Sequence, residues 1–93
     1  MKDMKLILFT PQRQMPTVEC DSVRLNIADS VSGKFSGSYG IRKGHAKAVF
    51  TLKEGRISAS LNNQEVFSAE CGEGFATVDG DEVRVTIDSI RED

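Results

Sequence analysis

The side chains in this chain of 93 residues that could carry covalent or redox chemistry are two cysteines and a single histidine. Cys20 and Cys71 lie far apart in the sequence, unlike the closely spaced pairs of zinc and redox motifs. No nucleophile motif surrounds either cysteine, and His45 follows Gly44 where a loop gives way to a strand. We therefore interpret both cysteines as small buried hydrophobic side chains, with a disulfide or a reactive thiol as the alternatives. His45 is interpreted as a structural or interface residue, and no enzyme activity is expected.

Two other segments have the composition of ligand sites but lack the required spacing. The acidic run Asp79–Glu82 has neither the spaced ligands nor the closing bidentate glutamate of a calcium loop, so it is interpreted as a solvated turn. The glycine-rich stretch Ser32–Gly37 lacks the Gly-Lys-Ser/Thr ending of a phosphate loop, and no helix follows it. The sequence therefore predicts no metal and no cofactor.

A local cluster of positive charge interrupts a chain whose net charge is -2. Arg42, Lys43 and Lys47 lie close together beside His45. The overall charge gives no broad attraction for nucleic acid or an anionic membrane, and the few aromatic residues offer no platform for stacked bases. The cluster is interpreted either as a solvated loop or as a contact for an acidic protein partner.

The elements that must position these residues are β-strands. Gly, Asn and Asp residues that favour turns recur about every eight to twelve residues, and the segments between them alternate apolar and polar residues. This pattern is typical of an all-β chain. The length permits one domain over residues 1–93, with about eight to ten short strands in a compact two-sheet antiparallel β-sandwich or flattened barrel. No apolar run is long enough for a membrane span or a signal peptide, so a cytosolic-side protein is expected.

The alternation also predicts individual strands. Lys5–Phe9 is expected to form a strand near a sheet edge, because Pro11 ends it. The apolar positions change parity near Asp21 and Ser22, so a bulge or bend there is expected to keep both sets inward. Ala28–Gly37 is interpreted as a loop.

Three hairpins are predicted, with turns at Glu54–Gly55, Asn62–Gln64 and Asp79–Glu82. The first sets Leu52 opposite Ile57, and the third sets Val78 opposite Val83. Five side chains are expected to be largely buried: Phe50, Ile57, Phe67, Phe75 and Val85.

Several segments together resemble a known family. Gly40–Ala46 is similar to the G-I-x-P-G-H-A signature of the ATP synthase epsilon subunit. Further segments resemble those of this family in the same order. Leu6–Pro11 and Asp21–Leu25 resemble its first two strands, and Phe50–Ile57 resembles its L-T-x-L-K-x-G segment. Gly72–Val78 resembles its G-G-F-x-E-V strand, and Val83–Asp88 resembles its closing V-T-V-L-A-D strand. The resemblance extends over essentially the whole chain.

The resemblance implies the N-terminal β-sandwich of a non-catalytic rotor subunit. Such a subunit joins the gamma subunit to the c ring of an F-type ATP synthase during proton- or sodium-driven ATP synthesis. It would need no cofactor and would lie at the cytoplasmic face of the membrane only through the complex. The alternative is a stand-alone β-sandwich adaptor of the same ancestry that recognises another protein.

The chain departs from the family pattern in and near the loop Ser38–Lys47. Lys43 and Lys47 replace two prolines, and Ser38 stands where the family has an acidic residue. No C-terminal helical hairpin is expected after Arg91. Seven residues are predicted to lie at or beside one partner interface, with an apolar anchor and flanking cations: Ser38, Tyr39, Gly40, Ile41, Arg42, Lys43 and His45.

Overall fold

The computed structural model describes residues 4–28 and 37–92. These residues form ten β-strands: β1 Met4–Phe9, β2 Val18–Cys20, β3 Ser22–Ile27, β4 Gly37–Arg42, β5 Ala48–Leu52, β6 Gly55–Leu61, β7 Gln64–Cys71, β8 Gly74–Asp79, β9 Glu82–Ile87 and β10 Ile90–Glu92. The predicted all-β sandwich is therefore confirmed.

The strands form one strongly curled sheet whose two halves enclose the core. One half has the order β10-β7-β6-β3, with β4 along the other edge of β3. The second half has the order β5-β8-β9-β1-β2. Strand β3 joins the halves, because its start pairs with β6 and its last residue, Ile27, pairs with Leu52 of β5.

The first strand departs from one prediction and confirms another. β1 pairs in parallel with β9, from Lys5 opposite Glu82 to Phe9 opposite Thr86, whereas we expected antiparallel pairs only. β1 also lies inside its half, because the short strand β2 covers its other side as the edge. The predicted position near a sheet edge is therefore confirmed, since only β2 lies beyond β1. Pro11 lies past the end of β1 and removes no donor from its ladder.

The chain bends between two strands near Asp21, where the pattern of inward apolar positions shifts by one residue. Cys20 ends β2 and Val23 lies in β3, and both are buried. The expectation that a bend keeps both apolar sets inward is confirmed. Of the predicted loop Ala28–Gly37, residues 29–36 lie outside the described part of the chain, and Gly37 begins β4.

Glu54 and Gly55 form a corner between the halves of the sheet, and the predicted hairpin there is wrong. The Lys53 amide donates to the carbonyl oxygen of Asn26 at 3.1 Å, and the Asn26 side-chain amide donates to the carbonyl oxygen of Glu54 at 2.9 Å. These contacts hold the chain against β3 as it leaves β5 for β6. The two strands therefore pair with different neighbours.

The other two hairpins occur with tighter turns than we expected. Asn62 and Asn63 form a two-residue turn, and a bulge at Ala59 and Ser60 supplies the change of parity that we assigned to a three-residue loop. Val78 and Val83 pair as predicted, although the strands extend one residue further, to Asp79 opposite Glu82.

The core contains apolar side chains from both halves, among them Leu6, Leu8, Val23, Leu25, Ile57 and Val85. The predicted burial of Ile57 and Val85 is confirmed, whereas Phe50 and Phe67 are half-buried and pack against the core. Phe75 is 48% exposed, so its predicted burial is wrong. Its neighbours Ala76 and Val78 occupy the inward positions of β8, and alternation turns Phe75 outward.

Candidate partner interface

The connection between β4 and β5 is a compact loop. The His45 amide donates to the carbonyl oxygen of Arg42 at 3.2 Å. Between them Gly44 has φ of 80°, a left-handed conformation that glycine adopts without a steric penalty. The chain therefore turns sharply before it enters β5.

The imidazole ring of His45 fastens this loop to the sheet. Nε2 lies 3.0 Å from the Tyr39 hydroxyl, and Nδ1 lies 2.7 Å from the carbonyl oxygen of Ala46. Both contacts are satisfied when Nδ1–H donates to the carbonyl and Nε2 accepts from the hydroxyl. The rings of His45, Tyr39 and Phe50 also pack together, with centroid separations of 5.1 to 6.1 Å. His45 thus has the structural role that was one of its two interpretations.

The seven predicted interface residues differ in their exposure. Strand alternation turns Ser38, Gly40 and Arg42 outward, whereas Ile41 is fully buried in the core. Ile41 therefore cannot be the apolar anchor of a partner contact, because a strand extends through residues that we expected to form a loop. Tyr39 is half-buried on the inward side. Partner contact by the residues other than Ile41 stays a prediction.

The three cations of the basic cluster are exposed at this end of the sandwich. Lys47 Nζ lies 3.8 Å from Asp79 Oδ1, and about three quarters of each side chain is exposed, so this pair adds little stability. Arg42 and Lys43 lie on the wall of a polar notch of about 480 Å³, which we call the cationic notch. Its lining consists of Asp21, Ser22, Arg42, Lys43, Ser60 and Asn63.

The two cysteines are buried, as expected. Removal from water raises the pKa of the Cys71 thiol to about 11, and the negative charge of Glu70 acts in the same direction. The positive charge of Arg56 opposes the shift without cancelling it. A thiol with this pKa is protonated near neutral pH and is a poor nucleophile.

The acidic segment Asp79–Glu82 is a tight turn, as we interpreted it. Asp79 pairs with Glu82 across Gly80, which has φ of 64°, and Asp81. The Glu82 carboxylate accepts from Arg84 Nε at 3.0 Å. Within residues 4–28 and 37–92, no three His, Cys, Asp or Glu side chains converge as a metal site. Of the glycine-rich stretch Ser32–Gly37, only Gly37 is described.

The outer surface of β5, β8, β9 and β1 carries apolar side chains that sequence reasoning missed. Val49 is 72% exposed and Phe75 is 48% exposed, and Ile7 and Phe9 are half-buried on the same side. The strand register sets them in two cross-strand rows: Thr51, Phe75, Thr86 and Phe9 in one, and Val49, Thr77, Arg84 and Ile7 in the other. We call this surface the apolar face.

A signal for the apolar face was present in the sequence. The predicted hairpin turns Val78 and Val83 inward, and strict alternation along β8 then turns Ala76 inward and Phe75 outward. The same alternation puts Val49 outward, between the inward Ala48 and Phe50. Large apolar side chains turned to solvent on one sheet make this surface a candidate for partner contact.

The family described as ATP synthase, Delta/Epsilon chain, beta-sandwich domain matches residues 3–93. This chain belongs to that family. The ATP synthase epsilon chain of Chlorobium limicola is 32% identical over 89 residues, which cover 96% of this chain and 93% of that protein.

Two solved structures share the fold of the family member described here. One is a chain of the Euglena gracilis mitochondrial ATP synthase, with a TM-score of 0.81 and 15% identity over 99% of this chain. The present chain spans only about half, 54%, of that protein. The other is a chain from the central stalk and c ring of the Tetrahymena thermophila mitochondrial ATP synthase, with a TM-score of 0.73 and 10% identity, covering 98% of this chain and 67% of that one.

Among the residues described, no helix is both long and apolar enough to cross a membrane.

Proposed function

We propose that this chain is a non-catalytic subunit of the central stalk of an F-type ATP synthase, where it couples the gamma subunit to the c ring during proton- or sodium-driven ATP synthesis. The observation that carries the proposal is the family match over residues 3–93. In this role residues 1–93 act as one β-sandwich domain at the cytoplasmic face of the membrane, which they reach only through the complex.

The packing of the domain suits a part that transmits torque. Side chains from both halves of the sheet interlock in one core, and close-packed interiors deform little under load. The function requires contact surfaces of fixed shape and no chemical step. A preformed sandwich provides such surfaces without a large rearrangement on binding.

We assign the gamma subunit to the apolar face. A rotor must stay assembled through many turns, and permanent complexes bury more apolar surface than transient ones. Val49 and Phe75 are the exposed apolar anchors on this face. The c ring is assigned to the end of the sandwich that carries the β4–β5 loop and the cationic notch.

The proposal is tested by co-expressing the tagged chain with the gamma subunit of the same source and measuring how much gamma is recovered. Val49→Glu places a charge on the apolar face, and Val66→Glu makes the same change at a 47% exposed position on β7. We expect Val49→Glu to lower gamma recovery by about tenfold or more, and Val66→Glu to leave it nearly unchanged.

Two results would count against the proposal. Isolation of the unmodified chain without gamma would favour the stand-alone adaptor. Equal recovery with both variants, at a level matching the unmodified chain, would place the gamma contact away from the apolar face.

A further inference from the structure

Charge is divided between two sides of one end of the sandwich. The strand register brings the β4–β5 loop, the turn at Asn62–Asn63 and the turn at Gly80–Asp81 to this end. Arg42 and Lys43 lie on the side formed by β3, β4 and β6, whereas the acidic turn belongs to β8 and β9. Lys47 and Asp79 meet between the two sides.

The cationic side has the groups that hold a carboxylate. Arg42, Ser22 and Ser60 are cross-strand neighbours on β4, β3 and β6, so a guanidinium group and two hydroxyls lie in one row. No carboxylate among the described residues forms a salt bridge with Arg42. Guanidinium groups and hydroxyls donate hydrogen bonds to carboxylates, and the planar guanidinium can do so with two parallel bonds.

The acidic residue of the notch is already engaged. The Asp21 carboxylate accepts a hydrogen bond from the Asn62 amide at 3.0 Å. This bond holds Asp21 toward the β6–β7 turn. On the other side of the notch the Arg42 side chain is exposed to solvent.

We propose that the cationic notch binds an acidic polypeptide segment of a protein partner, with a carboxylate on Arg42 and the Ser22 and Ser60 hydroxyls. This goes beyond the proposed function, which names partners without fixing the charge of the contact. The Tyr39–His45 contact holds the loop in place before binding, so little ordering is required.

The acidic turn gives the contact a direction. An acidic segment that approached over Asp79–Glu82 would meet like charge, and repulsion between like charges disfavours wrong orientations. An approach over the β3, β4 and β6 side instead brings the segment to Arg42. The notch therefore selects the orientation of the partner as well as its charge.

The experiment uses a fluorescently labelled peptide with four glutamates spaced by glycines, and the same peptide with glutamines. Binding is followed by fluorescence anisotropy at about 20 mM salt, where screening is weak.

The variant Arg42→Gln/Lys43→Gln removes the notch cations, and Arg13→Gln/Lys53→Gln removes two exposed cations elsewhere. We expect the notch variant to bind the glutamate peptide about fivefold more weakly or worse, and the control variant to bind within about twofold of the unmodified chain. The glutamine peptide should bind more weakly than the glutamate peptide, and NMR amide shifts should cluster at Ser22, Ser60 and Asn63.

Equal weakening in both double variants would overturn the proposal, as would equal binding of the glutamine peptide. Single-stranded DNA that bound the notch as tightly as the glutamate peptide would show recognition of negative charge alone and would also overturn it. The Val49→Glu variant should keep its affinity for the glutamate peptide. Failure of the gamma assignment and failure of the notch proposal are therefore distinguishable.

Discussion

At the scale of single residues, the buried thiol of Cys71 links the stability of the fold to pH. Its pKa rises from the ordinary value of 9.0 to about 11, because burial disfavours the thiolate. Below about pH 9 both folded and unfolded chains keep the proton. Between about pH 9 and pH 11 the unfolded chain loses it while the folded chain retains it, so the free energy of unfolding falls as pH rises.

We expect this effect to reach about 2 to 3 kcal/mol by pH 11, since each unit of pKa difference corresponds to about 1.4 kcal/mol. The measurement is the difference in free energy of unfolding between the unmodified chain and Cys71→Ala from pH 8 to pH 11, taken from urea titrations. Other groups titrate in this range in both proteins and cancel in the difference. A difference that stays constant across the range would contradict the expectation.

Two glycines of the Gly-Glu-Gly segment look alike in sequence and differ in their surroundings. A Cβ at Gly74 would overlap the Thr86 carbonyl oxygen and lie 2.8 Å from the Ile87 Cα, which are backbone atoms of β9. A Cβ at Gly72 would meet the Asp88 carboxylate and the Ser89 hydroxyl, which are side-chain atoms able to rotate away. The β9 backbone therefore requires glycine at position 74, whereas the side chains beside position 72 can move to admit a Cβ.

We expect Gly74→Ala to lower the free energy of unfolding by about 2 kcal/mol or more, and Gly72→Ala by less than about 1 kcal/mol. Urea midpoints of the two variants measure the difference. Gly72→Ala serves as the control for adding a methyl group in this segment. Equal costs would mean that β8 and β9 can separate at position 74 without strain.

At the scale of elements, the β6–β7 hairpin depends on an unusual pair of backbone angles. Asn62 and Asn63 have φ of 53° and 65°, the left-handed values that a two-residue type I′ turn needs at both positions. Asparagine tolerates this conformation and β-branched residues do not. The turn therefore depends on residue type at positions that are exposed and make few contacts.

We expect Asn63→Val to lower the free energy of unfolding by about 1 to 2 kcal/mol, and Asn63→Gly to leave it unchanged or raise it by up to about 1 kcal/mol. Thermal melts of the two variants test this pair of outcomes. Gln64→Val, at the neighbouring exposed strand residue, is the control for introducing valine. A loss with Asn63→Gly would show that the asparagine side chain matters beyond its backbone preference.

Alternation along single strands was enough to predict the fold class and much of the core. It could not predict which strands pair when the partner is distant in sequence. The corner at Glu54–Gly55 has the residues of a hairpin turn, and only its hydrogen bonds to Asn26 decide otherwise. For the candidate site, the cation cluster was visible in the sequence. The burial of Ile41 was not, because it depends on β4 pairing with β3.

At the scale of the whole molecule, different surfaces of one core suit different contacts. The outer side of β5, β8, β9 and β1 carries exposed apolar side chains, whereas the end beside β4 is polar and charged. A subunit that joins two partners needs surfaces of different chemistry, because identical surfaces would compete for the same partner. The single curled sheet keeps these surfaces at a fixed distance from each other.

The core supplied by both halves leads to a prediction about the whole domain. We expect it to fold without metal, nucleotide or disulfide, because apolar side chains of both halves fill the interior and no disulfide joins Cys20 to Cys71. A ligand present at 100 times its dissociation constant would add about 2.7 kcal/mol. For a domain of this size, about 2.7 kcal/mol corresponds to a rise in melting temperature of about 10 °C or more.

Because the domain needs no ligand or disulfide, melts recorded with chelator, with reductant and with ATP should each fall within about 2 °C of the untreated melt. A shift of many degrees with any one of the three would show that the fold depends on a metal, a disulfide or a nucleotide.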